Sequence, residues 1–237
     1  MKVLAMSSSR VGNSGFLEQA VPLVQEFIGR DQCTIAFVPF ASVQRDYEEY
    51  GNMVQTAFAN TAYIINTVLP HNAASVITNA DVIMVGGGNT FKLLHDIYAY
   101  TIYTSIQNKV AGGTPYIGWS AGANITGRSI STTNDMPIIQ PASFTAFNFL
   151  PFQLNPHYIN QTLENHNGET RDQRLEEFVT LNPGIPIVGL PEGTALQLQN
   201  GTLHFIGDKA GVLFESAATK GTNKREIAIS EDVSFLL

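Results

Sequence analysis

One serine of this sequence lies in a setting that fits covalent catalysis. Ser120 is the centre of GWSAG at 118–122, a G-x-S-x-G pattern between an apolar run and a helix-like segment, 121–127. In a nucleophile elbow, a turn too tight for neighbouring side chains exposes the serine hydroxyl and aims the following N–H at the same space. The pattern predicts Ser120 as the nucleophile that attacks an amide bond and Ala121 as an oxyanion donor. An ordinary helix-capping serine is the alternative.

A run of glycines, GGGN at 86–89, ends the apolar segment that precedes the elbow. Parallel strands bring their C-terminal ends to one edge of a sheet, where open α/β proteins bind ligands. A glycine can bring its N–H close to a reacting carbonyl, so Gly88 is the predicted second oxyanion donor. A phosphate cradle is the alternative, but the run lacks the P-loop lysine and the spaced glycines of a dinucleotide fingerprint.

The predicted nucleophile needs a base, and the chain contains five histidines. His157, in the loop-like run LNPHY at 154–158, is the predicted base, because a proline fixes the entry of the chain into that run. His166, in a polar loop, is the reserve candidate. Structural or solvated roles are expected for the other three: His71, His95 and His204.

The base in turn needs a carboxylate that fixes its tautomer and orientation. Glu192 lies in VGLPEG at 188–193, just past an apolar run, where parallel sheets carry catalytic groups. Asp135 lies fifteen residues after the serine in STTNDMPI at 131–138, where an Asx turn before proline is the structural alternative. The spacing leaves both carboxylates open.

The elements that must position these residues alternate between strand and helix over the first half of the chain. Strands are predicted at 3–6, 34–40, 62–68, 81–85 and 115–119. Helices are predicted to begin at Asn13 or Ser14, near Tyr47 and after Asn89. Because the strands are continuously apolar, we expect a mostly parallel sheet sandwiched by helices, an α/β fold.

The rhythm changes after about residue 128. Residues 131–160 look loop-rich and 168–181 look helical. Short strands are predicted at 186–190, 195–199, 202–206 and 211–214. Asn200-Gly201 is a strong hairpin signal between two of them. The C-terminal third is therefore predicted to add antiparallel strands to the sheet.

The composition limits the domain count and the classes of partner. With 237 residues, 44% hydrophobic residues and no linker or repeat, a single domain over 1–237 is expected. Charged residues make up only 14%, against about 25% on average, and no Lys/Arg cluster exists. Nucleic acid is therefore not an expected partner. The single cysteine, Cys33, lies in an apolar run as a small buried hydrophobe, and neither a metal nor a cofactor is predicted.

The apolar runs are all short compared with a membrane span, which needs about 18 residues. The N-terminal apolar run is also shorter than the roughly 7–15 residues of a signal-peptide core. We therefore expect no membrane association and a cytoplasmic location. The sequence leaves the oligomeric state open, with a homodimer as one alternative.

These motifs together resemble the peptidase E family, the α-aspartyl dipeptidases. Seven segments carry the resemblance in the same order: VPFA at 38–41, VGGGNTFKLL at 85–94, YIGWSAGAN at 116–124, STTNDMPI at 131–138, LNPHY at 154–158, GETRDQR at 168–174 and VGLPEG at 188–193. The resemblance implies a flavodoxin-like layout related to class I glutamine amidotransferases, with serine in place of their cysteine. It also implies hydrolysis of dipeptides that begin with L-aspartate, so an Asp-X dipeptide is the expected partner.

The resemblance implies the same nucleophile and base, Ser120 and His157. For the acid it supports both candidates. Glu192 is favoured, because the order Ser–His–Glu echoes that of the amidotransferases, and Asp135 then serves the substrate side of the site.

A protein of net charge −7 needs a local cation to hold an anionic substrate. Arg171, in GETR at 168–171, follows His157 by one short loop and is predicted to grip the substrate carboxylate with two parallel hydrogen bonds. Asn89 is predicted to assist at the same carboxylate or at the substrate amine. A surface ion pair of Arg171 or Arg174 with neighbouring acids is the alternative.

Two other functions compete with this interpretation. One is another serine hydrolase on the same scaffold, a cyanophycinase-like peptidase or an esterase, although α/β-hydrolase esterases normally place their acid and histidine further downstream. The other is a non-catalytic flavodoxin-like binding protein, with phosphate bound by the serines at 7–9 at a helix N-terminus. That function leaves the elbow and His157 without a role.

Overall fold

The structure is a computed structural model that describes residues 1–237 except 45, 162–166 and 218–220. The reserve base of the sequence analysis, His166, lies outside the described residues. The elements are, in chain order, β1 (Val3–Met6), α1 (Ala20–Ile28), β2 (Gln32–Val38), α2 (Tyr47–Ala57), β3 (Ala62–Thr67), α3 (Ala73–Asn79), β4 (Val82–Val85), α4 (Thr90–Ala99), α5 (Tyr103–Ala111), β5 (Tyr116–Trp119), α6 (Ala121–Asn124), β6 (Gln153–Pro156), α7 (Arg171–Leu181), β7 (Ile187–Leu190), β8 (Ala195–Gln199), β9 (Thr202–Ile206), β10 (Gly211–Ser216), β11 (Thr222–Ile227) and a 3₁₀ helix (Ser234–Leu236).

A seven-stranded sheet of order β3-β2-β4-β5-β1-β8-β9 forms the centre of the fold. The five strands from β3 to β1 are parallel, and β8 and β9 extend the sheet antiparallel to them. The predicted α/β class with a mostly parallel sheet is therefore confirmed. The register pairs Met6 with Trp119 and Val85 with Gly118, so the residues after β1, β4 and β5 meet at one edge.

Helices cover both faces of this sheet because its central strands bury alternate residues on opposite sides. Val3 and Ala5 of β1 pack into one cluster with α3, α4 and α5. Leu4 and Met6 of the same strand pack into the other cluster with α1 and α2. The apolar strands β1, β4 and β5 are buried on both faces, whereas β3, at the edge of the sheet, exposes Ile64. Within the described ranges, no helix reaches the length and apolarity that a membrane span requires.

A second sheet of four strands, in the order β11-β10-β7-β6, lies in the C-terminal half. The prediction that late strands extend the main sheet is correct for β8 and β9, which pair through the expected hairpin at Asn200-Gly201. It was wrong for β7 and β10, which pair within the second sheet. The strand β6 lies in the segment predicted to be loop-rich. Its sequence, QLNP, does not look like a buried strand, because two of the four residues are polar.

The start of the first helix also differs from the prediction. The helix α1 begins at Ala20, not after Asn13 or Ser14. The Ser14 hydroxyl instead accepts a hydrogen bond from the Val11 N–H at 2.9 Å, and Leu17 adopts a positive φ of 57°, which no continuous helix allows. The serines at 7–9 therefore do not lie at a helix N-terminus, which removes the basis of the phosphate-binding alternative.

Candidate active site

The serine elbow lies between β5 and α6, at the edge where β4, β5 and β1 end. Ser120 has φ 54° and ψ −113°, a conformation that is costly for any residue with a side chain. The glycines on either side are required by contact. A Cβ on Gly118 would lie 2.3 Å from the Gly122 carbonyl oxygen, and one on Gly122 would lie 2.2 Å from the Val85 oxygen. The turn is thus packed directly against β4, which fixes the hydroxyl at the end of the strand.

His157 follows directly after β6 and faces the serine. Its Nε2 lies 3.0 Å from the Ser120 Oγ, within hydrogen-bond reach. Its backbone has φ 53°. Ser7, the residue after β1, holds that backbone: its hydroxyl accepts from the His157 N–H at 3.0 Å and donates to the Leu190 oxygen at 2.8 Å. The histidine is therefore fixed by contacts to both sheets.

Glu192 occupies the far side of the imidazole. Its Oε1 lies 2.9 Å from the His157 Nδ1. The residue follows β7 by two positions, and β7 pairs with β6 so that Pro156 and Leu190 are abreast. With Nδ1–H donating to this carboxylate, Nε2 is left unprotonated and accepts from the serine hydroxyl. The contacts thus order Ser120, His157 and Glu192 in one hydrogen-bonded line.

Asp135 lies in the same site but contacts other groups. Its Oδ2 accepts from the backbone N–H of Thr90 at 2.7 Å and from the Thr133 hydroxyl at 3.1 Å. Thr90 is the first residue of α4, where the helix dipole favours a negative charge. No hydrogen bond between Asp135 and His157 exists among the described residues. The geometry therefore places Asp135 at the wall of the site and Glu192 beside the catalytic base, His157.

A cavity of about 160 Å³ lies in front of the serine, and we call it the Ser120 cavity. Its lining residues are Thr90, Ser120, Ala121, Asn124, Thr133, Asn134, Asp135, Pro156, His157 and Arg171. Apart from the histidine, this lining carries one acidic side chain, Asp135, and one basic side chain, Arg171. Among the described residues, no three His, Cys, Asp or Glu side chains converge as a metal site would require.

Arg171, the first residue of α7, is held by a buried amide. Its Nη1 donates to the Asn155 Oδ1 at 3.3 Å. The Asn155 Nδ2 in turn donates to the Thr132 oxygen at 2.8 Å and to the Asn134 Oδ1 at 2.7 Å. Burial lowers the pKa of the Arg171 guanidinium, and the charge of Arg174 lowers it further. The group nonetheless stays charged, because arginine does not deprotonate in proteins.

The surface ion pair that was the alternative for both arginines is formed by Arg174. Arg174 pairs with Glu169 at 3.8 Å, and both side chains are exposed. Arg171 has no carboxylate partner among the described residues. It is therefore a charged guanidinium at a cavity wall that no described carboxylate neutralises, as a site for an anionic group requires.

The predicted oxyanion donors are Ala121, the residue after the serine, and Gly88, in the glycine run that follows β4. The backbone N–H groups of Ala121 and Gly88 have no acceptor within the described part of the chain. Gly88 has φ 139°, and a Cβ there would lie 2.3 Å from the Ala41 oxygen. A Cβ on the adjacent Gly87 would lie 2.9 Å from the Ser120 Cβ. The glycine run thus passes directly beside the nucleophile.

Asn89 caps α4, as predicted. Its Oδ1 accepts from the Lys92 N–H at 3.0 Å, and its Nδ2 donates to the Met136 oxygen at 2.9 Å. Asn89 does not line the Ser120 cavity. These bonds tie the start of α4 to the segment that carries Asp135.

The chain matches the sequence model of peptidase family S51 over residues 3–206. This chain belongs to peptidase family S51. The peptidase E of Nostoc sp. (strain PCC 7120) is 43% identical over 237 residues, which cover 100% of this chain and 96% of the relative. The peptidase E of Shewanella baltica (strain OS185) is 47% identical over 238 residues, with 100% and 98% covered. The chain is accordingly a peptidase, as the resemblance implied.

Two solved structures are similar in fold to this S51 peptidase. A putative peptidase E protein from Listeria monocytogenes EGD-e has a TM-score of 0.65 at 22% identity, covering 88% of this chain and 98% of that chain. A peptidase from an acI-B1 actinobacterium has a TM-score of 0.67 at 16% identity, covering 99% and 96%. At these identities the likeness concerns the fold.

Several residues of the site in this S51 peptidase were not predicted from the sequence. Ser7 stands out in the sequence only as part of a serine run, yet it holds the backbone of His157. Asn155 lies two residues before His157 within LNPHY, and its full burial as a polar residue is the signal that identifies it. Thr90 and Asn134 line the cavity beside the predicted Asn89 and Asp135. All four are polar residues whose role depends on pairings between distant segments.

Proposed function

We propose that this S51 peptidase is a serine dipeptidase that cleaves dipeptides with an N-terminal L-aspartate through an acyl-enzyme on Ser120. One observation carries the proposal. The line from Ser120 through His157 to Glu192 opens on a cavity whose wall presents one guanidinium and one carboxylate. The guanidinium is that of Arg171, which has no carboxylate partner in the described part of the chain, and the carboxylate is that of Asp135. An N-terminal aspartyl residue carries the complementary pair, a carboxylate and an ammonium group.

The reaction proceeds in two steps. His157 Nε2 accepts the Ser120 proton while Oγ attacks the aspartyl carbonyl carbon, and the N–H groups of Ala121 and Gly88 stabilise the oxyanion. Glu192 stabilises the imidazolium that forms. The imidazolium then protonates the leaving amine, the C–N bond breaks, and the second residue departs. In the second step water, deprotonated by His157, attacks the ester and releases aspartate and the free serine.

Two charged groups select the aspartyl residue. Arg171, which Asn155 holds in place, binds the side-chain carboxylate of the substrate. A neutral amide cannot reproduce the paired hydrogen bonds that a carboxylate forms with a guanidinium. Asp135 binds the substrate ammonium group through Oδ1, because Oδ2 is occupied by Thr90 and Thr133. Asn89 assists by fixing the start of α4 and the segment after Asp135.

A dipeptide panel tests the proposal. We expect Asp-Leu to be cleaved and Asn-Leu, Glu-Leu and N-acetyl-Asp-Leu to be poor substrates. Asn-Leu lacks the side-chain carboxylate, N-acetyl-Asp-Leu lacks the ammonium group, and the side chain of Glu-Leu has the wrong length. Equal rates on Asp-Leu and Asn-Leu would contradict the assigned selectivity. Hydrolysis of p-nitrophenyl acetate without cleavage of any aspartyl dipeptide would favour the esterase alternative. Co-purification of flavin or nucleotide with an inactive protein would favour a binding protein.

The chain forms one domain over 1–237 in this proposal. The larger hydrophobic cluster contains Leu196 of the main sheet together with Val188 and Leu213 of the second sheet, so the two sheets share a core. Light scattering on the purified protein decides between the monomer and homodimer that the sequence left open. The cytoplasmic location stays a prediction, for which fractionation of the source cells is the measurement.

A further inference from the structure

A second concavity adjoins the elbow on the side of β2 and β4. It has a volume of about 300 Å³ and is formed by residues 41–44, Tyr50 and 87–89. We call it the outer groove. We propose that the outer groove binds the uncharged, preferably apolar, side chain of the residue that leaves, the second residue of the dipeptide. This inference rests on the proposed function and deepens it.

The outer groove borders the serine elbow through Gly87. A Cβ on Gly87 would lie 2.9 Å from the Ser120 Cβ and 3.0 Å from the Trp119 ring, so the groove floor touches the elbow. Gly88, the proposed oxyanion donor, also lines the groove. A substrate side chain in the groove therefore belongs to the residue next to the carbonyl that Ser120 attacks.

The direction of the substrate follows from the two concavities. The carbonyl carbon carries the aspartyl Cα on one side and the leaving nitrogen on the other. Arg171 and Asp135 place the aspartyl residue in the Ser120 cavity, and neither of them lines the outer groove. The leaving residue then extends across Gly88. A third cavity, of about 100 Å³ between α1 and β8, shares no lining residue with the elbow or with the glycine run.

The chemistry of the outer groove fits a neutral side chain. Ala41 and Val43 are apolar, Tyr50 is aromatic, and the described lining carries no charged side chain. Val43 is 57% exposed, so a ligand side chain that covers it removes apolar surface from water. Clefts of this size with apolar walls and a few polar groups are typical of small-ligand sites.

The walls of the outer groove are formed by fixed contacts. The Tyr50 hydroxyl donates to the Gly87 oxygen at 3.1 Å, and its ring packs edge-on against Phe37 at 5.0 Å. The Asn89 N–H donates to the Ala41 oxygen at 2.8 Å, which holds the 41–44 segment against the glycine run. The same contacts position Gly88, so the groove and the oxyanion donor share one framework. A preformed site loses little ordering entropy on binding.

Charge substitution at Val43 tests the inference. Val43→Glu and Val43→Lys are compared with the wild type on Asp-Leu, Asp-Lys, Asp-Glu and aspartic α-amide, whose leaving group has no side chain. We expect Val43→Glu to raise kcat/KM for Asp-Lys relative to Asp-Leu by at least tenfold, and Val43→Lys to do the same for Asp-Glu. Both variants should lower the ratio of kcat/KM for Asp-Leu to kcat/KM for the α-amide. Ile64→Glu, at a β-branched residue 59% exposed on β3, is the matched control and should keep the wild-type ratios.

The outcomes separate this inference from the proposed function. Unchanged ratios among the dipeptides in both Val43 variants, in an enzyme that still cleaves Asp-Leu, overturn the outer groove alone. An equal loss on all four substrates also overturns it, because Val43 then supports the fold rather than the leaving residue. If the wild type cleaves none of the four, the proposed function itself fails.

Discussion

Replacing Glu192 by glutamine removes a charge beside His157 while it keeps an acceptor oxygen for the Nδ1–H. The two atoms are 2.9 Å apart, so the amide can retain the hydrogen bond and the tautomer. What is lost is the attraction between the carboxylate and the imidazolium, which exists only as the transition state forms. The substitution should therefore lower kcat and leave KM nearly unchanged.

The magnitude follows from the exposure of the pair, whose side chains are 41% and 51% exposed. Two unit charges about 4 Å apart attract by about 1 kcal/mol in bulk water and by about 4 kcal/mol near a protein surface. Solvent screening moves a half-exposed pair towards the lower figure. We expect a loss of about 2 kcal/mol, which corresponds to a kcat roughly 30-fold lower. The effect is smaller than the ~10⁴-fold loss known for a buried triad aspartate whose asparagine variant also imposes the wrong histidine tautomer.

Steady-state kinetics on Asp-Leu measure this loss. Glu169→Gln is the matched control, since Glu169 is similarly exposed and pairs with Arg174 outside the cavity. Asp135→Asn should instead act mainly on KM, because Asp135 contacts the start of α4 and the proposed ammonium site rather than His157. An Asp135→Asn enzyme with almost no kcat, beside a Glu192→Gln enzyme within threefold of the wild type, would refute the reasoning.

Three other predictions follow from the same geometry. Ser120→Ala should fold normally and lose several orders of magnitude in kcat, as should His157→Ala, with the double variant little worse; substantial residual turnover of Asp-Leu in Ser120→Ala contradicts the mechanism. Arg171→Met should lose much activity on Asp-Leu and little on Asn-Leu, and equal losses on both would make Arg171 a structural residue. Burial, with the charge of Asp81, raises the pKa of the Cys33 thiol to about 11. The thiol is therefore protonated at pH 8, so iodoacetamide should label Cys33 only after unfolding, and rapid labelling of the native protein would be the opposite result.

The parallel core could be predicted because its signal is local. Each of the strands β1 to β5 is a short apolar run, and the turn residues that follow mark its end. The strand β6 could not be found in this way. Its buried Gln153 and Asn155 are satisfied by partners more than twenty residues away in the chain, such as the Ser129 hydroxyl at 2.6 Å, and no periodicity records such pairing.

In the candidate site, too, a residue could be predicted where its signal is local and could not where it depends on strand pairing. Ser120 is identified by neighbours in sequence, since the elbow requires glycines on both sides. The acid could not be chosen by spacing. Glu192 reaches His157 because β6 and β7 pair with Pro156 opposite Leu190, a register that belongs to the second sheet. Asp135 is closer to Ser120 in sequence, yet it contacts the first turn of α4.

The arrangement places the nucleophile and the base on different sheets. Ser120 directly follows β5 of the main sheet, and His157 directly follows β6 of the second sheet. Both have positive φ, a conformation that costs about 1–3 kcal/mol for each residue. Only the surrounding packing can hold two such residues 3.0 Å apart. Ser7 joins the sheets at this point, because its hydroxyl bonds both the His157 N–H and the Leu190 oxygen. The serine–histidine distance is therefore set by the junction of two rigid sheets rather than by a loop, so the reacting pair is formed before substrate arrives.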